Sequence, residues 1–368
     1  MSEWMAIADR PAAADVAPAG PDAGPCRVEL VERPGAAWDE YVLAHPEGSL
    51  FHSLAWRDAV ADVFRHEPLY LRAHRVGRTV GVLPLFLVRS RLAGRLLVSV
   101  PYGVGGGIRA DDEEAIGALF DAACRLTHER RCRHLDLRSE RAALPELATS
   151  DRYVGFRRVL PQSADEVLGW LPRKARAASR NARHKYGLTV SFGDDQLGEV
   201  WWLYTASMRR LASLNYPLAF FERLLELTPG RHWVSVVRWE GRPVAGLVTF
   251  LFRDCVMPYF YGATDLARTC SAANLIYLTA MERGAEAGYR VFDFGRSRCD
   301  NAGSFDFKRF HGFEPRPLEY QSYTPPGSTP PDLAPSNPRY RLARWVWCRL
   351  PLFATRALGG ALSRHIPG

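Results

Sequence analysis

The sequence predicts an α/β (α+β) chain of two similar tandem domains, each a mixed, mostly antiparallel sheet flanked by helices. Three observations lead there. The chain has 368 residues, 47% hydrophobic and 24% charged, which is enough for a large core and long for one domain. Hairpin-like runs with period-two alternation are interspersed with helical periodicities, a pattern that suits a mixed sheet more than a doubly wound parallel one. Two short matches also recur in the same order. Gly77-Arg-Thr-Val80 answers Gly241-Arg-Pro-Val244, and Arg133-His-Leu-Asp-Leu137 answers Arg290-Val-Phe-Asp-Phe294, with a helix between the members of each set.

Residues 1–24 are rich in Ala, Pro, Gly and Asp and are expected to form a disordered leader. Glu3 and Asp9 stand where a signal peptide would be basic, so none is expected. In the first domain, 25–160, strands are expected at 26–31, 69–74, 80–88, 96–100, 133–137 and 153–159. Helices are expected at 36–44, from Ser53 as cap to 64, and at 112–128. The glycine-rich stretch 101–108 is either a phosphate cradle or a plain tight connection, for it has neither G-x-G-x-x-G nor P-loop spacing. The second domain, 161–324, opens with a helix over 172–186. A strand at 188–192, helices at 197–212 and 218–227, a hairpin at 233–238 and 244–252, a strand at 256–261 and a helix at 272–287 follow. Residues 325–368 form a proline-rich linker and a basic, aromatic tail.

The chain is organised around Tyr289-Arg-Val-Phe-Asp-Phe-Gly-Arg-Ser-Arg298 and the following Gly303-Ser-Phe-Asp-Phe-Lys-Arg-Phe-His-Gly-Phe-Glu-Pro315. This reads as a strand ended by Gly295, a polar loop at 296–298, and a helix capped by Ser304 and closed by Gly312. The strand delivers Asp293 near its C-terminal end, where open α/β sheets bind ligands. The stretch resembles the C-terminal signature of FemAB-type transferases, which belong to the GNAT-like acyltransferases. More narrowly, it resembles the FemAB-related proteins associated with PEP-CTERM/exosortase exopolysaccharide systems. The resemblance covers residues 26–324. It implies two GNAT-like domains and the transfer of an acyl or aminoacyl group to an amine, on a cell-envelope or exopolysaccharide precursor. It also carries the transition-state Phe-Lys pair of those enzymes onto Phe307 and Lys308.

Acyl transfer to an amine requires a deprotonated amine, a stabilised oxyanion and a short approach. Asp293 is the candidate proton acceptor or amine orienter, with a structural carboxylate as the alternative. Lys308 is the candidate oxyanion cation, placed by this reading near a helix N-terminus. Arg296 and Arg298 can hold a phosphate or carboxylate, or else pair locally with Asp300 or Asp306. Ser297 can donate a hydrogen bond to substrate. Tyr259, Tyr261 and Tyr320 can line the pocket, the first two on one face of their strand.

Arg173, Arg176, Arg180 and Arg183 fall at helical spacing in a segment with no acid, a candidate clamp for donor phosphates or a solvated face. The usual GNAT pyrophosphate loop is not recognisable, and the long helical arm common in tRNA-using FemAB enzymes is missing. The co-substrate therefore stays open between acyl-CoA and aminoacyl-tRNA. The ten histidines show no metal-ligand spacing, so no metal is expected.

The net charge of +8 favours an anionic partner. DNA is not the expected one, since that reading rests on charge alone. Seven cysteines without a C-x-x-C pair suit a reducing cytoplasm. From Leu333 to Gly368 there are six arginines and no acid, interleaved with tryptophans and leucines. That tail either packs back on the protein or makes peripheral membrane contact through 339–364 at the inner face of the cytoplasmic membrane. A non-catalytic, membrane-associated binding protein of polysaccharide assembly is the competing function.

Overall fold

The computed structural model describes residues 24–331 and 337–367, so the expected leader lies outside it apart from Gly24. The first strands are β1 (Arg27–Val31), β2 (Glu67–Pro68), β3 (Tyr70–Arg75), β4 (Arg78–Leu83), β5 (Leu85–Ser90), β6 (Gly94–Ser99), β7 (Arg109–Ala110) and β8 (Leu135–Leu137). Then come β9 (Thr149–Ser150), β10 (Tyr153–Val159), β11 (Thr189–Phe192), β12 (His232–Trp239), β13 (Arg242–Phe252), β14 (Cys255–Ala263), β15 (Val291–Arg298), β16 (Pro315–Pro317) and β17 (Tyr320–Tyr323). The helices of the first half are α1 (Ala36–Ala44), α2 (Leu54–Phe64) and α3 (Glu113–Glu129). Those that follow are α4 (Ala164–Trp170), α5 (Arg173–Arg180), α6 (Leu197–Arg210), α7 (Leu218–Leu227), α8 (Leu266–Thr269), α9 (Ala272–Glu286), α10 (Ala302–Phe310), α11 (Arg341–Trp347) and α12 (Leu352–Ser363).

Local chemistry sets these boundaries. The Ser53 side chain accepts the Trp56 N–H at the start of α2, and Asp112 accepts the Ala115 N–H at the start of α3. The single strand expected at 80–88 is two, because Pro84 has no N–H to offer a ladder. On one side of that break β4 pairs with β3, and on the other β5 pairs with β2 and β6.

The strands form three sheets, ordered β1-β3-β4-β7, β2-β5-β6-β8-β17-β9 and β11-β12-β13-β14-β15-β10-β16. Pairing is antiparallel except for β6 with β8 and β14 with β15. Those two parallel pairs correspond in the two halves, each crossing through a long helix, α3 or α9, so the repeated sequence matches have a topological counterpart. The halves also exchange strands. β10 lies in the later sheet beside β15, and β17 lies in the earlier one beside β8. One apolar cluster, including Trp38, Phe51, Trp56, Phe220, Phe250 and Phe260, runs through both halves. Such a junction resembles a domain core rather than a loose interdomain contact.

The later sheet is covered on one face by α5 and α9 and on the other by α6 and α7. Helix α6 crosses β14 closely. A Cβ on Gly262 would lie 2.1 Å from the Tyr204 backbone nitrogen, too near for any side chain. Replacing Gly262 by Ala is therefore expected to destabilise the protein by roughly 3 kcal/mol, because backbone rather than a flexible side chain must move. Urea unfolding of the variant checks this, and an unchanged midpoint would contradict the contact.

Candidate functional site

The site begins with an irregularity in β15. Gly155 of β10 stands opposite Arg296 and Arg157 opposite Asp293, so Phe156 faces the two residues Phe294 and Gly295. This is a β-bulge. Gly295 adopts φ +67°, a conformation costly for residues with a Cβ. The strand therefore does not end at Gly295, as the sequence led one to expect. The bulge absorbs the extra residue, and Arg296, Ser297 and Arg298 continue the ladder.

Asp293 and Lys308 hold this bulge from opposite ends. The Gly295 N–H donates to Asp293 Oδ1 at 2.7 Å, while Lys308 Nζ donates to the Gly295 and Arg296 carbonyls at 3.0 and 2.9 Å. The other Asp293 oxygen, Oδ2, accepts from Arg157 Nε and Nη2 at 3.3 and 3.0 Å. Lys308 is only 7% exposed and lies 5.2 Å from the Phe156 ring centroid. Burial pushes its ammonium down to about 7; Asp293 opposes that fall and Arg296 adds to it. Its place in α10 corrects an expectation. Lys308 is in the last helical turn rather than near the N-terminus, at the end where the helix dipole favours a cation. Asn301, not Ser304, caps that helix.

A second cluster adjoins the first. The Arg296 guanidinium lies 4.6 Å from the Tyr153 ring centroid and 3.4 Å from the Tyr320 hydroxyl. Tyr320 donates to the Val104 carbonyl, and Tyr259 donates to the Tyr102 carbonyl at 2.5 Å. Tyr259 thus fastens the glycine-rich stretch 101–108 to the later sheet, and Tyr320, on β17, fastens it to the earlier one. Its glycines serve close packing: a Cβ on Gly106 would meet Val100 at 2.0 Å, and one on Gly107 would meet Ser139 at 1.9 Å.

The remaining candidates fall elsewhere. Tyr259 and Tyr261 do not share a face, because β14 is irregular between Pro258 and Phe260. Tyr259 joins Phe51, Trp56 and Phe250, whereas Tyr261 stacks on Tyr277. Ser297 is buried against the Ser304 hydroxyl at 2.8 Å, Arg298 pairs with Asp300, and Phe307 packs on Tyr277 and Phe294. Arg173, Arg176, Arg180 and Arg183 line one side of α5 and its continuation. Ala175, Ser179 and Ala182 face the protein, and Ser179 donates to the Asn274 carbonyl in the first turn of α9 at 3.4 Å. Arg183 pairs with Glu282, and Arg176 Nε is buried without a hydrogen-bond partner. Among the described residues, no three His, Cys, Asp or Glu side chains are placed to hold a metal ion.

Strands β14 and β15 pair only at Cys255–Val291 and Val256–Phe292. Beyond those residues they separate, and the two facing backbone edges border a gap that no other described strand fills. Tyr259 lies on one bank and the Gly295 bulge and Arg296 on the other.

Sequence reading missed Arg157, the partner of Asp293, because β10 and β15 become neighbours only through long-range pairing. One available signal went unused. Lys174, Lys185 and Lys308 are the only lysines in a chain that otherwise uses arginine. A buried lysine can lose its charge near neutrality, and an arginine cannot.

Residues 172–309 match the family model described as an acetyltransferase (GNAT) domain. Comparison with curated proteins finds no match. Among solved structures, the fold is similar to FemX at TM-score 0.62 and 15% identity, covering 86% of this chain and 100% of that one. It is also similar to a tandem GNAT protein from the clavulanic acid biosynthesis pathway, solved without AcCoA. There the TM-score is 0.51 and the identity 15%, over 83% of this chain and 100% of that one. At such identities the likeness is one of fold. Over residues 172–309 the chain thus matches a GNAT acetyltransferase domain, and its fold is that of a tandem GNAT-like protein.

Lys308 has a consequence for stability. Its folded pKa of about 7 lies below its ordinary 10.5, so unfolding takes up a proton between those values and stability rises with pH across that window. Lys308→Met is expected to flatten the rise, read as urea midpoints across the window. A wild-type and variant that respond identically to pH would contradict the burial of the ammonium.

Proposed function

We propose that the protein is an N-acyltransferase that moves an acyl or aminoacyl group from an activated donor to an amine. The amine nitrogen attacks the donor carbonyl and a C–N bond forms. The donor's C–S bond, or C–O bond in an aminoacyl ester, then breaks, and the amine proton passes to solvent or a nearby base. The observation that carries this reading is the gap between β14 and β15, with a bulge fixed by Asp293 and Lys308 on one bank and Tyr259 on the other. A carbonyl lying in the gap meets backbone N–H groups without a strand partner, beside the positive charge of Arg296 and Lys308. That is the environment a developing oxyanion needs. With both oxygens engaged, Asp293 serves as an orienter of the bulge rather than a free base.

The GNAT domain match supports acyl-CoA as the donor, with aminoacyl-tRNA as the alternative. The Arg173–Arg176–Arg180–Arg183 face beside the first turn of α9 is a fitting clamp for donor phosphates. The acceptor is read from the sequence resemblance as an amine on a cell-envelope or exopolysaccharide precursor, made by a system of the PEP-CTERM/exosortase kind.

The test is thiol release from acetyl-CoA and longer acyl-CoAs with a panel of amines, followed on the full chain. Lys308→Met is expected to lower kcat about 100-fold. Arg173→Gln with Arg180→Gln is expected to raise the donor KM several-fold and leave kcat unchanged. Donor binding without turnover of any acyl-CoA or aminoacyl-tRNA would instead favour the non-catalytic binding protein.

A further inference from the structure

The C-terminal segment forms a second feature, independent of the sheet gap. Helix α12 is seated on the protein by small residues, with Thr355, Gly359 and Ser363 buried along one side. A Cβ on Gly359 would lie 2.1 Å from Asn215 Oδ1, so the seat is close-fitting. The residues after it are tied down as well. Ser90 Oγ donates to the His365 carbonyl at 2.7 Å, and the Tyr102 N–H and Arg138 Nη1 donate to the Pro367 carbonyl at 2.9 and 3.1 Å. Part of the tail therefore packs back on the protein. Its outer side is left apolar: Phe353 is 75% exposed, Leu358 47% and Leu362 42%. Helix α11 adds exposed Leu342 and Trp345, and the turn between β5 and β6 adds Leu92.

Between that turn and α12 lies an open basin of about 580 Å³, lined by Arg89, Arg91, Arg95, Arg364 and His365. No carboxylate lines it. Arg89 reaches Glu67, which also pairs with Arg130, so the basin keeps an excess of positive charge. Four guanidinium groups around one hollow repel one another unless an anion sits among them. Exposed apolar side chains adjoin its lining along the chain: Leu92 follows Arg91, and Leu358 and Leu362 stand beside Ala361 on α12. A solvated basic face would not need them, and a free phosphate would not use them.

We propose that this face docks on an anionic phospholipid surface. Headgroup phosphates would enter the arginine basin, and Leu92, Leu358 and Leu362 would reach the acyl boundary. A basic surface with an apolar flank is the chemistry of interfacial binding. The attachment is peripheral in kind, since no helix among the described residues is long and apolar enough to cross a membrane. Through Pro367 the docking face is tied to Tyr102, whose carbonyl accepts from Tyr259 of the later sheet.

The experiment is co-sedimentation of the full chain with vesicles of phosphatidylcholine, with and without phosphatidylglycerol. Binding is expected only to the anionic vesicles and is expected to weaken with salt. The triple variant Arg91→Gln, Arg95→Gln, Arg364→Gln should lose about 100-fold in partitioning, at roughly fivefold per arginine. Leu358→Ser with Leu362→Ser should lose about tenfold. All five positions are at the surface, and the salt and lipid dependence of the wild type tests the proposal even if a variant misfolds. Equal binding to both vesicle types, or to neither, would overturn it. So would displacement by inorganic phosphate beyond its ionic-strength effect, competition by unrelated duplex DNA, or self-association in place of vesicle binding.

Discussion

The Gly295 peptide is held at its N–H by an aspartate and at its carbonyl by a lysine, and the end of β15 depends on that double hold. A bulge with a left-handed residue is a local cost, which the surrounding bonds must offset. Hydrogen bonds to charged groups contribute about 1.5–3 kcal/mol each, more than neutral ones. Burying Lys308 opposes part of that gain, and the lowered pKa of its ammonium expresses the same penalty. The outcome is a strand end fixed in an unusual course, with cationic side chains concentrated around it.

The duplicated topology shows what the second half adds. In the first half Asp136 occupies the place of Asp293 in the repeated match, and it too is tied to an arginine, Arg138 two residues on, whereas Arg157 reaches Asp293 from the neighbouring strand β10. The parallel pair β6–β8 likewise mirrors β14–β15. The first half has no lysine at all and no residue of β8 at positive φ. The aspartate–arginine pairing is thus common to both halves, whereas the bulge and its lysine belong to the second. Strand exchange then joins them, since β17 beside β8 begins with Tyr320, whose hydroxyl meets Arg296 and donates to the Val104 carbonyl.

Much of this was legible in the residues. Apolar periodicity marks α7 to its ends, α1 also has the expected bounds, and the Gly77-Arg78 and Gly241-Arg242 turns mark the two hairpins. The Phe-Asp-Phe-Gly and Phe-Lys patterns point to the strand and helix that meet at the bulge. What was not legible depends on irregular pairing. A bulge shifts every later residue to the other face, so alternation alone assigned Tyr259 and Tyr261 to one side and ended β15 at Gly295. Strand exchange is also invisible to local patterns, because β10 pairs with β15 more than 130 residues later and β17 with β8 more than 180 residues earlier. For the same reason Arg157 could not be matched to Asp293 from sequence spacing.

The central claim is that the bulge held by Asp293 and Lys308 borders the place where an activated carbonyl is received. A crystal structure of the full chain with a non-hydrolysable acyl-CoA analogue tests it most directly. The account predicts the acyl carbonyl between β14 and β15, facing the Gly295 bulge, with the donor phosphates toward the arginine side of α5. Density for the acyl group outside that gap, with the bulge and its two charged residues untouched, would contradict it.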